Sequence, residues 1–93
     1  MSHSLPLVSV IITTYRNEIY LPRAIESVLN QSYSNIELIV VDDNAPDSQA
    51  RTNTEAVMTR YPQAVYLKHP ENRNGAAARN TGIRAANGQY LAF

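Results

Sequence analysis

The chain has 93 residues, 44% of them apolar, which suits one small globular domain rather than two. Eight basic residues balance eight acidic ones, and this zero net charge excludes a nucleic-acid or anionic-membrane binder that works by bulk charge. The absence of cysteine excludes a disulfide framework, a thiolate zinc site and a cysteine nucleophile. Residues 1–6 lack the basic start and apolar core of a secretory signal, so we expect an N-terminal tail there, followed by a cytoplasmic domain over residues 7–93.

The first two predicted elements are a buried strand and an amphipathic helix. Residues 7–13 (LVSVIIT) are rich in β-branched side chains with one polar interruption, which is typical of a strand buried on both faces. A helix follows, because apolar residues recur at helical spacing; they are Leu21, Ala24, Ile25, Val28 and Leu29.

A second strand and helix repeat this order. Residues 36–41 (IELIVV) predict another buried strand, which runs directly into a loop over residues 42–47. Asp47 or Ser48 can cap the next helix. That helix places Ala50, Thr54, Val57, Met58 and Tyr61 on one face and stops before Pro62. Residues 64–68 (AVYLK) predict a third, shorter strand.

The last predicted elements are an alanine-rich helix and a fourth strand. The helix spans residues 75–87, with a face of small residues that lets it approach a sheet closely, and Gly88 is placed as its C-terminal cap. The fourth strand covers residues 89–93. The β-α-β-α-β-α-β order predicts an α/β, Rossmann-like fold: a mostly parallel sheet with helices on both faces.

Candidate site residues follow the strands, because ligands of open α/β sheets bind at the carboxyl ends of the strands. Tyr15 follows the first strand, Asp42 and Asp43 follow the second, and Arg73 and Arg79 come after the third. An aromatic ring can cover a pyrimidine, and a carboxylate can accept its imide N–H. Guanidinium groups and helix N-termini suit a diphosphate. The combination predicts a nucleotide site.

Each of these residues also has a structural interpretation. Paired aspartates in a loop serve as turn and helix-capping devices, Tyr15 can cover the sheet edge, and Arg79 can be a solvated helix residue. His3 and His69 have no partners at ligand spacing, which argues against a metal role for either. The first strand-to-helix turn has no glycine, which argues against a classical nicotinamide-binding domain.

Several stretches together resemble the N-terminal, nucleotide-sugar-binding half of family 2 glycosyltransferases with the GT-A fold. They are the run from VSVIITTY through LPRAIESVLNQSY to IVVDD, then NGAAARNTGI, then AANGQYLAF. The resemblance covers residues 7–93. It implies a strand order of 3-2-1-4 and a nucleotide-sugar donor, most often a UDP-sugar.

The resemblance also implies roles for individual residues. Thr13, Tyr15 and Glu18 would contact the uridine, Asp42 and Asp43 would hold the base with Asp43 the preferred uracil contact, and Arg79 would support the site near the diphosphate. Two loop positions depart from the family pattern. Asn44-Ala45 stands where Gly-Ser is usual, and Arg16-Asn17 stands where Asn followed by a basic residue is common.

The family's acidic motif, which holds Mn²⁺ or Mg²⁺ after the fourth strand, is absent from these residues, as are its acceptor half and catalytic base. We therefore expect a truncated fragment of an inverting glycosyltransferase, without catalytic or metal-binding residues of its own, that binds nucleotide weakly and transfers no sugar. Its open fourth strand predicts self-association by edge pairing. The full enzyme would use a carbohydrate or lipid-linked acceptor in bacterial surface-polysaccharide assembly, at the cytoplasmic face of the membrane.

Two other classes compete with this interpretation. A receiver-like regulatory module also has acidic residues at strand ends, but its acidic pair follows the first strand rather than the second. A nucleotidyltransferase normally has a first loop rich in glycine and basic residues, and residues 13–18 contain no glycine.

Overall fold

The computed structural model describes residues 5–93 and shows a four-stranded parallel sheet with three helices. In chain order the elements are β1 (Val8–Thr14), α1 (Leu21–Leu29), β2 (Ile36–Asp42), α2 (Gln49–Met58), β3 (Val65–Lys68), α3 (Gly75–Ala85) and β4 (Tyr90–Ala92). The strand order is β3-β2-β1-β4, as the resemblance implied. The α/β architecture is thus confirmed, while residues 1–4 of the predicted tail lie outside the described residues.

The sheet is buried on both faces, which explains the near-continuous apolar sequences of its two central strands. On one face, Val10 of β1 and Val40 of β2 pack against Leu21 and Ile25 of α1 and Met58 of α2. On the other face a smaller cluster lies under α3, formed by Ile11, Ile39, Val41 and Ala78. Because successive strand residues point to opposite faces, each central strand contributes to both clusters.

Helix α3 lies close to the sheet because its inner face has small side chains. A Cβ atom on Gly82 would be only 2.5 Å from Cγ2 of Ile11, so this position has no room for any side chain. A Cβ atom on Gly75, at the start of the same helix, would meet no atom within 4 Å. The two glycines of α3 therefore serve different purposes.

The prediction that Gly88 caps the third helix is wrong. The helix ends at Ala85, and no glycine among the described residues has the positive φ angle of a C-terminal cap. Gly88 is required for a close approach instead, since a Cβ there would lie 2.6 Å from Oγ of Ser9 and 2.7 Å from its backbone nitrogen. The Gly88 N–H donates to Ser9 Oγ at 2.8 Å.

Glu37 anchors the connection between α3 and β4 to the sheet. Its Oε1 accepts hydrogen bonds from the Ser9 hydroxyl at 2.7 Å and the Asn87 backbone N–H at 2.9 Å. The Asn87 side chain donates to Oε2 at 3.0 Å. These donors, led by the Asn87 backbone N–H, lower the pKa of the Glu37 carboxyl group. The hydrogen bonds of Glu37 thus fix the segment that precedes β4, which is an edge strand of the sheet. That β4 mediates self-association stays a prediction.

Candidate functional site

A cavity of about 480 Å³ opens at the carboxyl edge of the sheet. Three chain segments meet there: the end of β1 with its following loop, the residue after β2, and the loop that leads into α3. The lining residues are Thr13, Thr14, Tyr15, Asn17, Asp43, Asn72, Arg73, Asn74, Gly75 and Ala78. The three strand-end segments that the sequence predicted to converge therefore do meet at one site.

The loop after β1 supplies an aromatic ring and a hydroxyl group. Tyr15 is 44% exposed at the cavity, and the Arg16 guanidinium lies 5.1 Å from the centre of its ring. Thr14 is buried, and its hydroxyl oxygen has no hydrogen-bond partner within residues 5–93. A buried hydroxyl without a partner is costly to fold, so it is a candidate contact for a bound polar group.

Arg16 occupies the left-handed backbone region, with φ at 57°. A bulky residue pays about 1 kcal/mol or more there, whereas asparagine visits this region more readily. The Arg16 N–H donates to Oδ1 of Asn44 at 2.7 Å. The two departures from the family pattern are therefore in direct contact.

Asp42 points away from the cavity and is fully buried. Its Oδ1 accepts from the backbone N–H and the side-chain amide of Asn44, at 2.9 and 2.8 Å. Its Oδ2 accepts from the Tyr66 hydroxyl at 2.5 Å. Burial raises the pKa of Tyr66, and the hydrogen bond to Asp42 raises it further. Asp42 thus holds the end of β2 to its neighbours.

The counterion of Asp42 is Arg51 of α2, which is 6% exposed. Its Nε lies 3.1 Å from Asp42 Oδ2, as a close ion pair rather than an aligned hydrogen bond. Its Nη2 donates at 2.7 Å to the carbonyl oxygens of Asn44 and His69. Arg51 therefore joins the loops that follow β2 and β3. Arg51 lies three and seven residues before Thr54 and Met58, the other buried residues of α2. This helical spacing is a sequence signal that could have predicted the burial of Arg51.

Asp43 lines the cavity although it is only 3% exposed. Its Oδ1 accepts from the Arg73 backbone N–H at 2.9 Å and lies 2.7 Å from Nδ1 of His69. Its Oδ2 accepts from the side-chain amide of Asn72 at 3.1 Å. A carboxylate has about four acceptor sites, so one site remains, on Oδ2.

The N-terminus of α3 forms the opposite wall of the cavity. The Asn74 side chain caps the helix by accepting from the Ala77 N–H at 2.7 Å. Asn74 and Gly75 both line the cavity, with Arg73 immediately before them. Backbone N–H groups and the helix dipole make such an end favourable for an anion.

The structure separates the six predicted site residues into two groups. Thr13, Tyr15 and Asp43 line the cavity together. The other three, Glu18, Asp42 and Arg79, are not among the described residues that line this cavity. Glu18 is half-buried beside α1. Arg79 is exposed on α3, with its guanidinium 5.7 Å from the ring centre of Phe93.

The residues described do not form a metal site. Residues 5–93 contain no group of three or more His, Asp, Glu or Cys side chains placed to hold an ion. Both buried aspartates already accept hydrogen bonds from protein donors. The same residues contain no helix long and apolar enough to cross a membrane.

Sequence reasoning missed the residues that hold the aspartates. The sequence pattern tests His69 only as a metal ligand and indicates no role for Asn44, Arg51 and Asn72. These partners lie up to 29 residues from the aspartates they contact. Of these residues, only Arg51 has a local sequence signal, its helical spacing, that could have predicted its buried position.

Comparison with known proteins identifies the family to which the chain belongs. The family model described as Glycosyl transferase family 2 matches residues 9–93. An uncharacterized glycosyltransferase from Haemophilus influenzae is 39% identical over 97% of this chain and 36% of its own length. The glycosyltransferase GlyG from Streptococcus pneumoniae is 40% identical over 91% of this chain and 28% of its own length. The minor teichoic acid biosynthesis protein GgaB from Bacillus subtilis is 38% identical over 91% of this chain and 10% of its own length.

A solved structure agrees with these relatives. The mannosyltransferase PcManGT from Pyrobaculum calidifontis, in complex with GDP-Man and Mn²⁺, superposes with a TM-score of 0.75 at 26% identity. The match covers 92% of this chain and 26% of that one. The chain therefore spans about a third or less of the length of these relatives. Its parallel sheet and strand-end cavity are the Rossmann-like half of a GT-A fold, and the chain belongs to glycosyltransferase family 2.

Proposed function

We propose that this chain is the nucleotide-binding part of a glycosyltransferase that transfers a sugar from a nucleotide-sugar donor, most often a UDP-sugar, to an acceptor hydroxyl. One observation carries the proposal. A single cavity contains an aromatic ring, a carboxylate with an open acceptor site and the N-terminus of a helix. These are the groups that a base, an imide N–H and a diphosphate require.

The base lies against Tyr15 in this proposal, with Thr13 at its edge. The remaining acceptor site of Asp43 Oδ2 takes the imide N–H of uracil. Because the other acceptor sites of Asp43 are occupied, its carboxylate cannot rotate to suit a ligand without losing protein hydrogen bonds. The site is therefore preorganised, which reduces the ordering cost of binding.

The diphosphate lies toward Arg73 and the first turn of α3. The buried Thr14 hydroxyl, which lines the same cavity, supplies a further polar contact. Arg79 supports this end through its charge, one turn further along the helix. Asp42 acts indirectly, by holding the loop after β2, and Glu18 supports the loop after β1.

The metal and the acceptor belong to other parts of the proposed enzyme. PcManGT was solved with Mn²⁺ and GDP-Man, which supports a divalent cation and a nucleotide-sugar donor for the proposed enzyme. Residues 5–93 provide no matching ligand group, so no step is assigned to a metal here. The teichoic acid relative supports a carbohydrate or lipid-linked acceptor in surface-polysaccharide synthesis, which we place at the cytoplasmic face of the membrane.

Titration of UDP into the ¹⁵N-labelled chain, with Mg²⁺ present and absent, tests the proposal. We expect backbone amide shifts at residues 13–17, at Asp43 and at residues 72–75, with little effect of Mg²⁺. Tyr15→Ala should weaken UDP binding about tenfold, because a base–aromatic stack contributes about 1–3 kcal/mol. Tyr90→Ala is the matched control, since Tyr90 is an exposed tyrosine on β4 outside the cavity. Equal losses in the two variants, or no shifts at millimolar UDP, would contradict the proposal.

A further inference from the structure

His69 lies directly behind Asp43, on the side away from the cavity. It is 4% exposed, and both ring nitrogens have partners at 2.7 Å: Nδ1 faces Asp43 Oδ1, and Nε2 faces the Thr81 hydroxyl of α3. The backbone of His69 is also fixed. Its N–H donates to the Asp42 carbonyl at 2.9 Å, and its carbonyl accepts from Arg51.

The hydrogen atoms of this chain of contacts can be assigned by counting donors. The Asp43 side chain accepts N–H donors from Asn72 and Arg73, and a carboxylate has no hydrogen of its own to donate. Nδ1 of His69 must therefore carry a hydrogen and donate it to Oδ1. Which nitrogen of a histidine bears hydrogen is set by such partners.

The Thr81 end allows two arrangements. Its hydroxyl has one hydrogen and lies 3.0 Å from the Ala77 carbonyl and 2.7 Å from Nε2 of His69. If the hydroxyl donates to Ala77, Nε2 donates to Thr81 and the ring is charged. If the hydroxyl donates to Nε2, the ring is neutral. The Nδ1–H bond to Asp43 is the same in both arrangements.

We infer that His69 is a positioning residue for nucleotide binding: it holds the Asp43 carboxylate turned so that one acceptor site of Oδ2 faces the cavity. The inference rests on the proposed function and gives a role to His69, which the sequence pattern tests only as a metal ligand. The other charged groups around the ring are Arg51, at the His69 carbonyl, and Arg84, whose Nη2 lies 3.4 Å from Thr81 Oγ1. No further carboxylate contacts the ring among the described residues.

Two amide substitutions distinguish positioning from simple packing. In His69→Asn the side-chain NH₂ occupies the place of Nδ1 and can still donate to Asp43. In His69→Gln the NH₂ occupies the place of Nε2 and reaches Thr81 instead. Both variants lose ring volume, so both should lose stability to a similar extent in urea. Only the glutamine variant loses the donor to Asp43.

We expect His69→Asn to bind UDP within about threefold of the wild-type chain and His69→Gln to bind it about tenfold or more weakly, as a lost charge-assisted hydrogen bond predicts. Equal UDP affinities in the two variants would overturn the inference, because His69 would then act by packing alone.

A readout without ligand separates this inference from the proposed function. Nitrogen NMR of the His69 ring should show hydrogen on Nδ1, with a slowly exchanging proton that Asp43→Ala exposes to solvent and Thr81→Val does not. A ring protonated at Nε2 alone would overturn the inference, regardless of the UDP affinities of the variants. Failure of the wild-type chain to bind UDP, with the Nδ1 proton present, would reject the proposed function and the binding role of His69 but leave the hydrogen-bond assignment standing.

Discussion

Asp42 and Asp43 are adjacent in the chain but belong to different environments. Asp42 faces the interior, where Asn44, Arg51 and Tyr66 surround its carboxylate. Asp43 lines the cavity, and among the described residues one acceptor site of its Oδ2 has no partner. Successive side chains of an extended chain point to opposite sides, so two adjacent acidic residues at the end of a strand can lie in different environments.

The two environments also differ in how they respond to change. The interior cluster is closed, so removing any member leaves a buried charge or polar group without a partner. The cavity side is open to solvent and to ligand, so its members can be altered at lower cost to folding. Substitutions on the two sides should therefore differ in how far they change folding stability and UDP binding.

Arg51→Met should cause the largest loss of stability. It removes the counterion of the fully buried Asp42, and breaking a buried pair typically costs about 3–5 kcal/mol. Urea unfolding followed by circular dichroism measures the loss. Arg23→Met, at an exposed position of α1, is the matched control and should change stability by less than about 0.5 kcal/mol. Similar losses in both variants would show that the ion pair does not hold the interior cluster together.

Asp43→Asn should affect binding more than folding. The amide keeps the shape of the side chain but replaces one acceptor oxygen by a donor, so we expect a stability loss of about 1–3 kcal/mol and at least tenfold weaker UDP binding. Calorimetric titration measures the affinity at a temperature where the variant is folded. Asp47→Asn, in the exposed part of the same loop, should bind UDP like the wild-type chain. An unchanged affinity of Asp43→Asn would remove Asp43 from the site.

The two glycines of α3 also lie in different environments, since Gly82 packs against Ile11 in the interior and Gly75 lines the cavity. Gly82→Ala places a methyl group 2.5 Å from Ile11, so we expect overpacking to cost about 1–2 kcal/mol. Gly75→Ala meets no atom within 4 Å and should be neutral or stabilising by up to about 1 kcal/mol. Thermal unfolding of the two variants measures both effects. The reverse order of stabilities would mean that α3 does not contact the sheet through Gly82.

Arg16→Asn should give the smallest effect, and it should be stabilising. Asparagine tolerates the left-handed backbone at φ 57° better than arginine, and the N–H that donates to Asn44 is retained. We expect a gain of about 0.5 kcal/mol in urea unfolding. A loss of stability would indicate that the guanidinium stacked on Tyr15 contributes more than the backbone conformation costs.

The order and burial of the elements could be predicted from the sequence because they depend on local patterns. The apolar runs of β1 and β2 predicted buried strands of a parallel sheet, and Ser48, one of two predicted caps, caps α2 by accepting from the Arg51 N–H at 3.1 Å. The convergence of Thr13, Tyr15 and Asp43 followed from a general property of parallel sheets, whose strands share one carboxyl edge.

Only the tertiary structure decided that Asp42 is buried away from the cavity and which residues hold each aspartate. Those assignments depend on contacts such as Asp43 with His69 and Asp42 with Arg51, between residues far apart in the chain. The same is true of Gly88. A glycine is required there because Ser9, 79 residues away in the chain, approaches closely, and not because α3 ends nearby. Hydrophobic periodicity reports the face that a residue buries, whereas the partner of a buried polar group is set by how distant segments pack.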